Sequence, residues 1–368
     1  MLKFLRIFKK DYQTLNRIEI SKINLLKNYK YLSSLKVKIA PVIKSNAYGH
    51  GIVNIAKILD SQGAPFFCVD SLYEGYKLLK AKIKTPILIM GYTDPENFKV
   101  KKLPFTFAVF DLETAGALNK FQSNCSIHIF VDTGMHREGI SLSELPEFLN
   151  QLQQFSKLKV EGLMSHLASA DNPKDPLNKT QIKNFKKTID TCKKHGIKPK
   201  WIHLQNSDGL NLNLKDCGLN MARAGLALYG ISNNSNLKPA LKLVSKLIQI
   251  KEVKKGESIG YDGTYKTKQD TIIGVLPIGF YDGVDRGLSN KGVVKIENTY
   301  CPIVGRVSMN LTTIDLSKLH NPKLGQEVLV YSDNPEDKNS IQNVAQICKK
   351  IPYEILVNLA QSTRRIIT

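Results

Sequence analysis

The chain has 368 residues, of which 42% are hydrophobic, and its 53 Lys and Arg side chains against 32 Asp and Glu give a net charge of +21. This length and hydrophobic content allow two domains, or one barrel with a smaller unit, and exclude a largely disordered chain. The lysines come singly or in pairs without interleaved aromatic residues, so the charge does not predict nucleic-acid binding.

The six cysteines are scattered and show none of the spacings of zinc ligands. They are typical of reduced thiols, so we expect a cytoplasmic protein without a metal site. No apolar run is long enough to span a membrane, and residues 1–12 lack the features of a secretory signal. We predict an inert N-terminal extension over residues 1–13. A basic amphipathic helix on a membrane surface is the alternative for this segment.

From residue 37 to about residue 225, short β-type runs alternate with helical or linker stretches, the pattern of parallel β/α units. Eight such runs predict an N-terminal (β/α)8 TIM-type barrel within residues 14–236. Helical periodicity is clearest over residues 142–155, opened by a capping-box pattern at Ser141 and Glu144. The predicted strands are 37–44, 66–70, 86–91, 105–110, 127–132, 160–166, 201–207 and 219–224.

The sequence changes character after a polar linker at residues 232–236. Short β-type runs without long helical inserts follow, and they predict a mostly antiparallel β domain over residues 237–368. One helix is expected over about residues 340–350. The predicted strands of this domain are 241–250, 271–278, 293–296, 302–304 and 328–331.

Lys44 ends the first apolar run and enters the small-residue turn of residues 45–51. A strand-ending lysine usually just reaches solvent. A desolvated lysine, however, exposes a neutral amine that can form a Schiff base. Barrel enzymes place their active sites at the carboxyl ends of the strands. Several other polar side chains fall at those predicted ends, namely Tyr48, Arg137, His166, Ser207 and Arg223.

Barrels frequently bind phosphate with the loops that follow strands seven and eight. Ser207 and residues 223–226 fall in those loops, where hydroxyl and backbone N–H groups can hold a phosphate without a glycine-rich P-loop. A Schiff-base lysine together with a phosphate site indicates pyridoxal 5′-phosphate, whose ring stabilises a carbanion next to an amino group.

The segment Lys-Ser-Asn-Ala-Tyr-Gly-His-Gly at residues 44–51 closely resembles the lysine segment of bacterial alanine racemases. The resemblance covers nearly everything from about residue 14 to the end. It implies a fold-type III pyridoxal phosphate enzyme that acts as a homodimer, with active sites combining groups from both subunits. The other matching segments, in order, are 132–139, 164–168, 223–230, 260–265, 277–280, 305–310 and 352–354.

The resemblance implies that Lys44 carries the cofactor and serves as one proton-transfer base. Tyr261, from the β domain of the partner subunit, is implied as the base on the opposite face. Two bases on opposite faces invert the stereocentre. His166 is expected beside Tyr261, with Arg223 beyond it facing the pyridine nitrogen. Because a guanidinium does not give up its proton, that nitrogen stays neutral.

The resemblance also assigns binding roles. Arg137 and Met309 match groups around the cofactor's phenolic oxygen and the substrate carboxylate. Two departures stand out: Phe130 replaces a lysine that is carbamylated in many members, and Asn310 replaces a usual aspartate. Without a carbamate, Arg137 needs another partner, such as chloride or a nearby side chain. The residues that match the phosphate-binding positions are Tyr48, Ser207, Gly225, Leu226 and Tyr353.

The resulting hypothesis is racemisation of L-alanine to D-alanine for peptidoglycan synthesis. One alternative is a racemase of broader specificity, acting on serine or lysine. Another is a pyridoxal phosphate-binding protein without racemase activity. Tyr261 discriminates between these classes, because a carrier has no need of a second base.

Overall fold

The computed structural model describes residues 13–212, 214, 217–232 and 234–368. The described residues form two compact units, a barrel unit within residues 23–238 and a β unit of residues 239–368 together with residues 13–22. The first strand, β1 (Arg17–Ile20), therefore belongs to the β unit. The boundaries expected after residues 13 and 236 stay predictions, and residues 1–12 of the expected extension lie outside the described residues.

The barrel unit contains the eight strands β2 (Lys38–Pro41), β3 (Phe67–Val69), β4 (Ile87–Ile89), β5 (Thr106–Val109), β6 (Cys125–Phe130), β7 (Leu158–Met164), β8 (Trp201–His203) and β9 (Met221–Ala224). Strands β3 to β8 form one parallel sheet in chain order, and β2 pairs in parallel with β9. The ring closes where Ile43 N–H donates to the Cys68 carbonyl at 2.9 Å and Arg223 N–H donates to the Gln205 carbonyl at 3.0 Å.

Helices connect most of these strands: α1 (Lys22–Ser33), α2 (Lys44–Tyr48), α3 (Ile52–Leu59), α4 (Leu72–Lys80), α5 (Leu112–Phe121), α6 (Leu145–Leu152) and α7 (Pro176–Lys194). Ser71, Asp111 and Asp175 cap α4, α5 and α7 by accepting backbone N–H groups of the first turn. The connection after β4 contains the short 3-10 turn Pro95–Lys99, and the connection after β8 contains the short 3-10 turn Asp208–Asn211.

Each of the eight predicted barrel strands is present, but most are shorter than the apolar run that predicted them. The run at 201–207, for example, contains β8 only over Trp201–His203, because its last residues leave the sheet. The capping box at Ser141 and Glu144 forms, with Glu144 N–H at 3.3 Å from Ser141 Oγ. Residues 142–144 make a turn, so α6 begins at Leu145 and not directly after Ser141.

The β unit contains β10 (Leu241–Lys246), β11 (Gln249–Val253), β12 (Ser258–Ile259), β13 (Tyr265–Lys266), β14 (Thr271–Leu276), β15 (Val293–Ile296), β16 (Thr299–Pro302), β17 (Thr312–Asp315), β18 (Glu327–Tyr331), α8 (Ile341–Cys348), α9 (Pro352–Val357) and β19 (Arg364–Ile367). Its largest sheet has the order β16-β15-β18-β10-β1-β19, with parallel pairing only between β1 and β19. The predicted barrel followed by a mostly antiparallel β domain is confirmed.

In the β unit, β1 lies between β10 and β19, as an inner strand of the six-stranded sheet. Ile18 and Ile20 are fully buried, while Arg17 and Glu19 form an ion pair at 2.7 Å. This alternation is the pattern of a strand with one apolar face. Within the part of the chain that the structure describes, no helix is both long and apolar enough to cross a membrane.

Candidate active site

Lys44 is followed by a left-handed helical turn, which the sequence predicted only as a small-residue turn. The φ angles of Ser45, Asn46, Ala47 and Tyr48 lie between 50° and 55°. Left-handed backbone costs an L-residue roughly 1–2 kcal/mol, and glycine is the residue that usually adopts it. Four consecutive non-glycine residues in this conformation require strong support from their surroundings.

That support comes from hydrogen bonds and buried rings. Asn46 Oδ1 accepts Ile52 N–H at 3.0 Å, which connects the turn to the start of α3. His50 is fully buried, and its Nδ1 lies 2.9 Å from the Tyr48 carbonyl oxygen. The His50 ring stacks on Tyr229 at 4.2 Å between centroids, and Tyr229 donates its hydroxyl to the Val42 carbonyl. The turn is therefore held against the barrel wall.

The amine of Lys44 is not desolvated, in contrast to the sequence-based expectation. Its side chain is 36% exposed, and Nζ forms an ion pair with Asp70 Oδ1 at 3.0 Å. Asp70 directly follows β3, the strand beside β2, so both groups lie at the carboxyl end of the sheet. The sequence analysis did not single out Asp70.

Three of the residues expected to hold phosphate come together at the ends of β8 and β9. Ser207 Oγ accepts the N–H groups of Gly225 at 2.9 Å and Ala227 at 3.2 Å. A Cβ atom at Gly225 would meet Tyr48 Oη at 2.7 Å, so only glycine lets this hydroxyl approach the backbone so closely. Leu226, the fourth expected residue of this unit, follows Gly225 and is 7% exposed. The result is a cradle of two hydroxyls and adjacent backbone N–H groups.

Arg223 is buried in the barrel on β9, the strand that directly precedes Gly225 of the cradle. Its NH2 group donates to the Ser165 carbonyl at 2.6 Å and to His166 Nδ1 at 3.0 Å, and its NH1 group donates to His203 Nδ1 at 2.7 Å. Among the described residues, no carboxylate forms an ion pair with Arg223. Burial lowers the pKa of Arg223 to about 10, so the guanidinium remains charged at neutral pH.

The arginine fixes the protonation of three histidines. A guanidinium only donates, so His166 and His203 accept with Nδ1 and carry their protons on Nε2. His203 Nε2 lies 2.9 Å from His128 Nδ1, which therefore accepts, leaving the proton of His128 on a buried Nε2 without a partner. The sequence analysis gave His128 no role.

Burial keeps these histidines neutral. It lowers the pKa of His166 to about 3, with the charges of Arg223, Arg137 and Lys44 acting in the same direction. Burial and Arg223 also lower the pKa of His128 to about 3 and that of His203 well below its usual value. A neutral His166 presents an N–H donor at Nε2.

Arg137 follows β6 and is paired with the next residue. Its Nε and NH2 groups donate to Glu138 Oε2 at 2.8 Å and Oε1 at 3.3 Å, so the partner expected from the sequence is a neighbouring side chain. Phe130 is 4% exposed and packs in an apolar cluster with Ala108 and Met164. This position is thus built for an apolar ring, with no group to carry a carbamate.

The remaining expected residues lie in the β unit. Tyr261 begins a 3-10 turn and is 68% exposed, between Gly260 at φ 74° and Asp262 at φ 59°. Asp262 pairs with Arg306, which fixes this turn against the matching segment 305–310. Met309 is 58% exposed, Asn310 is exposed, and Tyr353 lies half-buried in the first turn of α9.

Two family models together match almost the whole chain. The one described as alanine racemase, N-terminal domain, matches residues 20–233, and the one described as alanine racemase, C-terminal domain, matches residues 240–367. The chain belongs to the alanine racemase family. The family, the fold and the enzyme class expected from the sequence are thereby confirmed.

Individual alanine racemases agree with this assignment. That of Borreliella burgdorferi is 36% identical over 368 residues, with 95% of both chains covered. The structure of the alanine racemase from Bacillus anthracis with bound L-Ala-P has a TM-score of 0.89 and 31% identity, covering 98% of this chain and 96% of that chain. The alanine racemase of Bartonella henselae with covalently bound pyridoxal phosphate has a TM-score of 0.86 and 25% identity, covering 97% and 100%.

The barrel unit brings together groups that suit a phosphorylated aldehyde such as pyridoxal phosphate. The hydroxyls of Tyr48 and Ser207 both lie beside the backbone of Gly225, and hydroxyls are hydrogen-bond donors suited to a phosphate dianion. Lys44 and Tyr48 belong to the same left-handed turn, so the amine and one of these hydroxyls are part of one short segment. Arg223 is a buried cation that donates to His166 and His203 of the same barrel.

Proposed function

We propose that this protein racemises alanine by a two-base mechanism that uses pyridoxal phosphate. The observation that carries the proposal is the left-handed turn that joins Lys44 to Tyr48. It places the Lys44 amine and the Tyr48 hydroxyl on one short segment, and the hydroxyl lies against Gly225. The residues proposed to hold the phosphate are Tyr48, Ser207, Gly225, Leu226 and Tyr353. The name of the Bartonella relative supports a covalent link of the cofactor to a side chain, and Lys44 is the residue we propose for it.

The cofactor supplies an electron-withdrawing ring that stabilises negative charge on the substrate Cα. Arg223 is proposed to face the ring nitrogen. It donates hydrogen bonds and never accepts them, so it keeps that nitrogen unprotonated and moderates the electron demand of the ring. Burial and Arg223 lower the pKa of both His128 and His203, so these rings are neutral and the guanidinium is the charged group of this cluster.

Lys44 and Tyr261 of the partner subunit are proposed as the two bases. The Lys44 amine takes or returns the α-proton on one face, and the phenol oxygen of the tyrosine does so on the other, which inverts the stereocentre. A tyrosine needs a donor to stabilise its phenolate form. His166 suits this role, because Arg223 occupies its Nδ1 and leaves its Nε2–H as a donor.

Arg137 and Met309 are proposed to contact the substrate carboxylate and the cofactor's phenolic oxygen. The guanidinium of Arg137 uses Nε and NH2 for Glu138. A guanidinium carries five N–H donors in one plane, so Arg137 is suited to bind the substrate carboxylate in addition to Glu138. We further propose that the protein is a cytoplasmic homodimer with shared active sites and that it provides D-alanine for peptidoglycan.

Exchange of the α-proton with solvent tests the proposed function. Purified protein loaded with pyridoxal phosphate is mixed with L-alanine or D-alanine in deuterated water, with circular dichroism and NMR as readouts. We expect loss of optical activity together with deuterium uptake at Cα. The variant Tyr261→Phe is expected to lose one direction of abstraction by about 10²- to 10⁴-fold, the usual contribution of a general base.

Tyr73→Phe is the matched control, because Tyr73 is also 68% exposed but lies on α4 and is not proposed to act in the reaction. Equal rates of deuterium uptake at Cα from L-alanine and D-alanine in Tyr261→Phe would show that this residue is not the second base. Cofactor capture without proton exchange would identify a pyridoxal phosphate-binding protein. Faster exchange with serine or lysine than with alanine would identify a racemase of broader specificity.

A further inference from the structure

The side chain of Glu74 contacts the start of the lysine segment, residues 44–51, and also the residue that pairs with the Lys44 amine. Its Oε1 accepts the N–H groups of Ser45 at 2.6 Å and Asn46 at 3.4 Å, the first two residues of the left-handed turn. Its Oε2 accepts the N–H of Asp70 at 2.9 Å. Asp70 in turn binds the Lys44 amine at 3.0 Å. One carboxylate therefore fixes the backbone after Lys44 and the residue that holds its Nζ.

This arrangement differs from an ordinary helix cap. Ser71 and Glu74 have the spacing of a capping box, in which the glutamate would bind the N–H of Ser71 itself. Here Ser71 Oγ accepts Glu74 N–H at 3.5 Å, but the Glu74 carboxylate reaches past Ser71 to Asp70 and Ser45. The first turn of α4 thus carries an acceptor directed at the segment that contains Lys44.

The Glu74 carboxylate lies next to the backbone N–H groups at the start of the left-handed turn. Successive N–H groups at the start of a left-handed turn have no partner within the turn, just as at the start of an ordinary helix. A carboxylate is the strongest acceptor available for them, because bonds to an ionised oxygen are shorter and stronger than neutral ones. The 2.6 Å separation between Ser45 N and Glu74 Oε1 fits such a bond.

We propose that Glu74 is a positioning residue for Lys44, holding the left-handed turn and Asp70 so that the amine points to the cofactor. Glu74 acts through the backbone of Ser45 and Asp70 and does not touch the reacting atoms. The proposal rests on the proposed function, because it assumes that Lys44 is the residue that links to pyridoxal phosphate.

The test measures the covalent linkage of pyridoxal phosphate to Lys44 separately from non-covalent binding of the cofactor. The full-length protein is freed of cofactor with hydroxylamine and mixed with pyridoxal phosphate. The rate of covalent linkage is followed by the yellow absorbance, then by borohydride trapping and peptide mapping of Lys44. Pyridoxamine phosphate is the second probe, since it has an amine in place of the aldehyde and reports non-covalent binding alone.

We expect Glu74→Ala to slow covalent linkage by about tenfold to a hundredfold, the effect of a small misplacement of a reacting group. Glu74→Gln keeps one oxygen acceptor and should be slowed less. Each change should lower the affinity for pyridoxamine phosphate less than it slows linkage, because the hydrogen bonds of the Glu74 carboxylate go to Ser45, Asn46 and Asp70 and not to the cradle residues. Glu144→Gln is the matched control, since the carboxylate of Glu144 caps only its own turn at Ser141.

Unchanged linkage rates in both Glu74 variants would overturn the proposal. An equal loss of linkage and of pyridoxamine phosphate affinity, with a lower melting temperature, would also overturn it, because Glu74 would then be a general structural residue. A wild-type protein that binds pyridoxamine phosphate but never links pyridoxal phosphate at Lys44 would instead refute the proposed function, and the positioning role with it.

Discussion

At the scale of single residues, the chain His128–His203–Arg223–His166 links a buried cation to three neutral rings. His128, His166 and His203 each have a lowered pKa because they are buried close to Arg223. The unfolded chain takes up protons on these rings near pH 6.5, whereas folded His128 and His166 stay neutral down to about pH 3. Protonation therefore favours the unfolded chain between these two values.

We predict that the free energy of unfolding falls as the pH is lowered below 6.5, by up to about 1.4 kcal/mol per pH unit for each buried histidine. Trp201, the only tryptophan, lies in β8 and reports unfolding of the barrel unit in urea by its fluorescence. His128→Asn should reduce the slope, with His320→Asn, at an exposed position, as the control variant. If the free energy of unfolding of His128→Asn depends on pH as steeply as that of the parent, His128 is not a buried neutral histidine.

The sequence predicted which residues carry polar chemistry better than it predicted their neighbours. Lys44, Ser207 and Gly225 stand at predicted strand ends, so their approach follows from barrel topology. Asp70 and Glu138 were not singled out, because an acid after a strand has no local pattern that marks its partner. Their contacts depend on side-chain directions that only the folded backbone sets.

At the scale of elements, the left-handed turn α2 leads us to predict that a glycine is tolerated at position 45, unlike in an ordinary helix. A glycine at Ser45 avoids the cost of left-handed backbone, so Ser45→Gly should leave the free energy of unfolding unchanged or raise it by up to about 1 kcal/mol. Ser45→Val should lower it by roughly 1–3 kcal/mol, because a branched side chain fits this backbone poorly.

Lys57→Gly provides the control, at an exposed position of the right-handed helix α3. There glycine should cost about 1 kcal/mol, the usual loss in a helix interior. Chemical denaturation of the three variants and the parent gives the comparison. If Ser45→Gly is as costly as Lys57→Gly, residues 45–48 do not have the left-handed conformation.

Among the elements, the barrel strands were the most predictable, because buried parallel strands read as continuous apolar runs. The handedness of α2 was not predictable, since only Asn46 among its four left-handed residues favours that conformation. The place of β1 was also missed. Its alternating Arg-Ile-Glu-Ile indicates a strand, but its partners β10 and β19 lie more than 200 residues away along the chain.

At the scale of the whole molecule, the β unit exposes several large side chains, one of which is the proposed base Tyr261. Phe280 N–H donates to the Ser308 carbonyl and Tyr281 N–H to the Met309 carbonyl, so their segments lie side by side. Tyr261, Phe280, Tyr281, Met309 and Leu311 are exposed by 68%, 44%, 58%, 58% and 46%. Such an apolar surface is typical of an interface with another chain.

Complementation tests whether two copies share each active site. Lys44→Ala and Tyr261→Phe are each expected to be inactive or severely impaired as pure proteins. If each site takes its lysine from one subunit and its tyrosine from the other, a mixed dimer has one intact site. Unfolding and refolding an equal mixture should then restore about a quarter of the wild-type activity, by random pairing.

Each variant refolded alone is the control for this experiment. An absence of recovered activity, with mixed dimers demonstrated by differently tagged copies, would show that both groups of a site come from the same chain.

The position of β1 has a consequence for synthesis of the protein. Residues 17–20 leave the ribosome early, but their parallel neighbour β19 begins only at Arg364. At about 5–20 residues per second, roughly twenty seconds to a minute pass before that neighbour exists. Its other neighbour, β10, begins at Leu241, so β1 has no partner strand of its sheet while the whole barrel sequence is made. Ile18 and Ile20 reach their buried positions only after the chain of the barrel is complete.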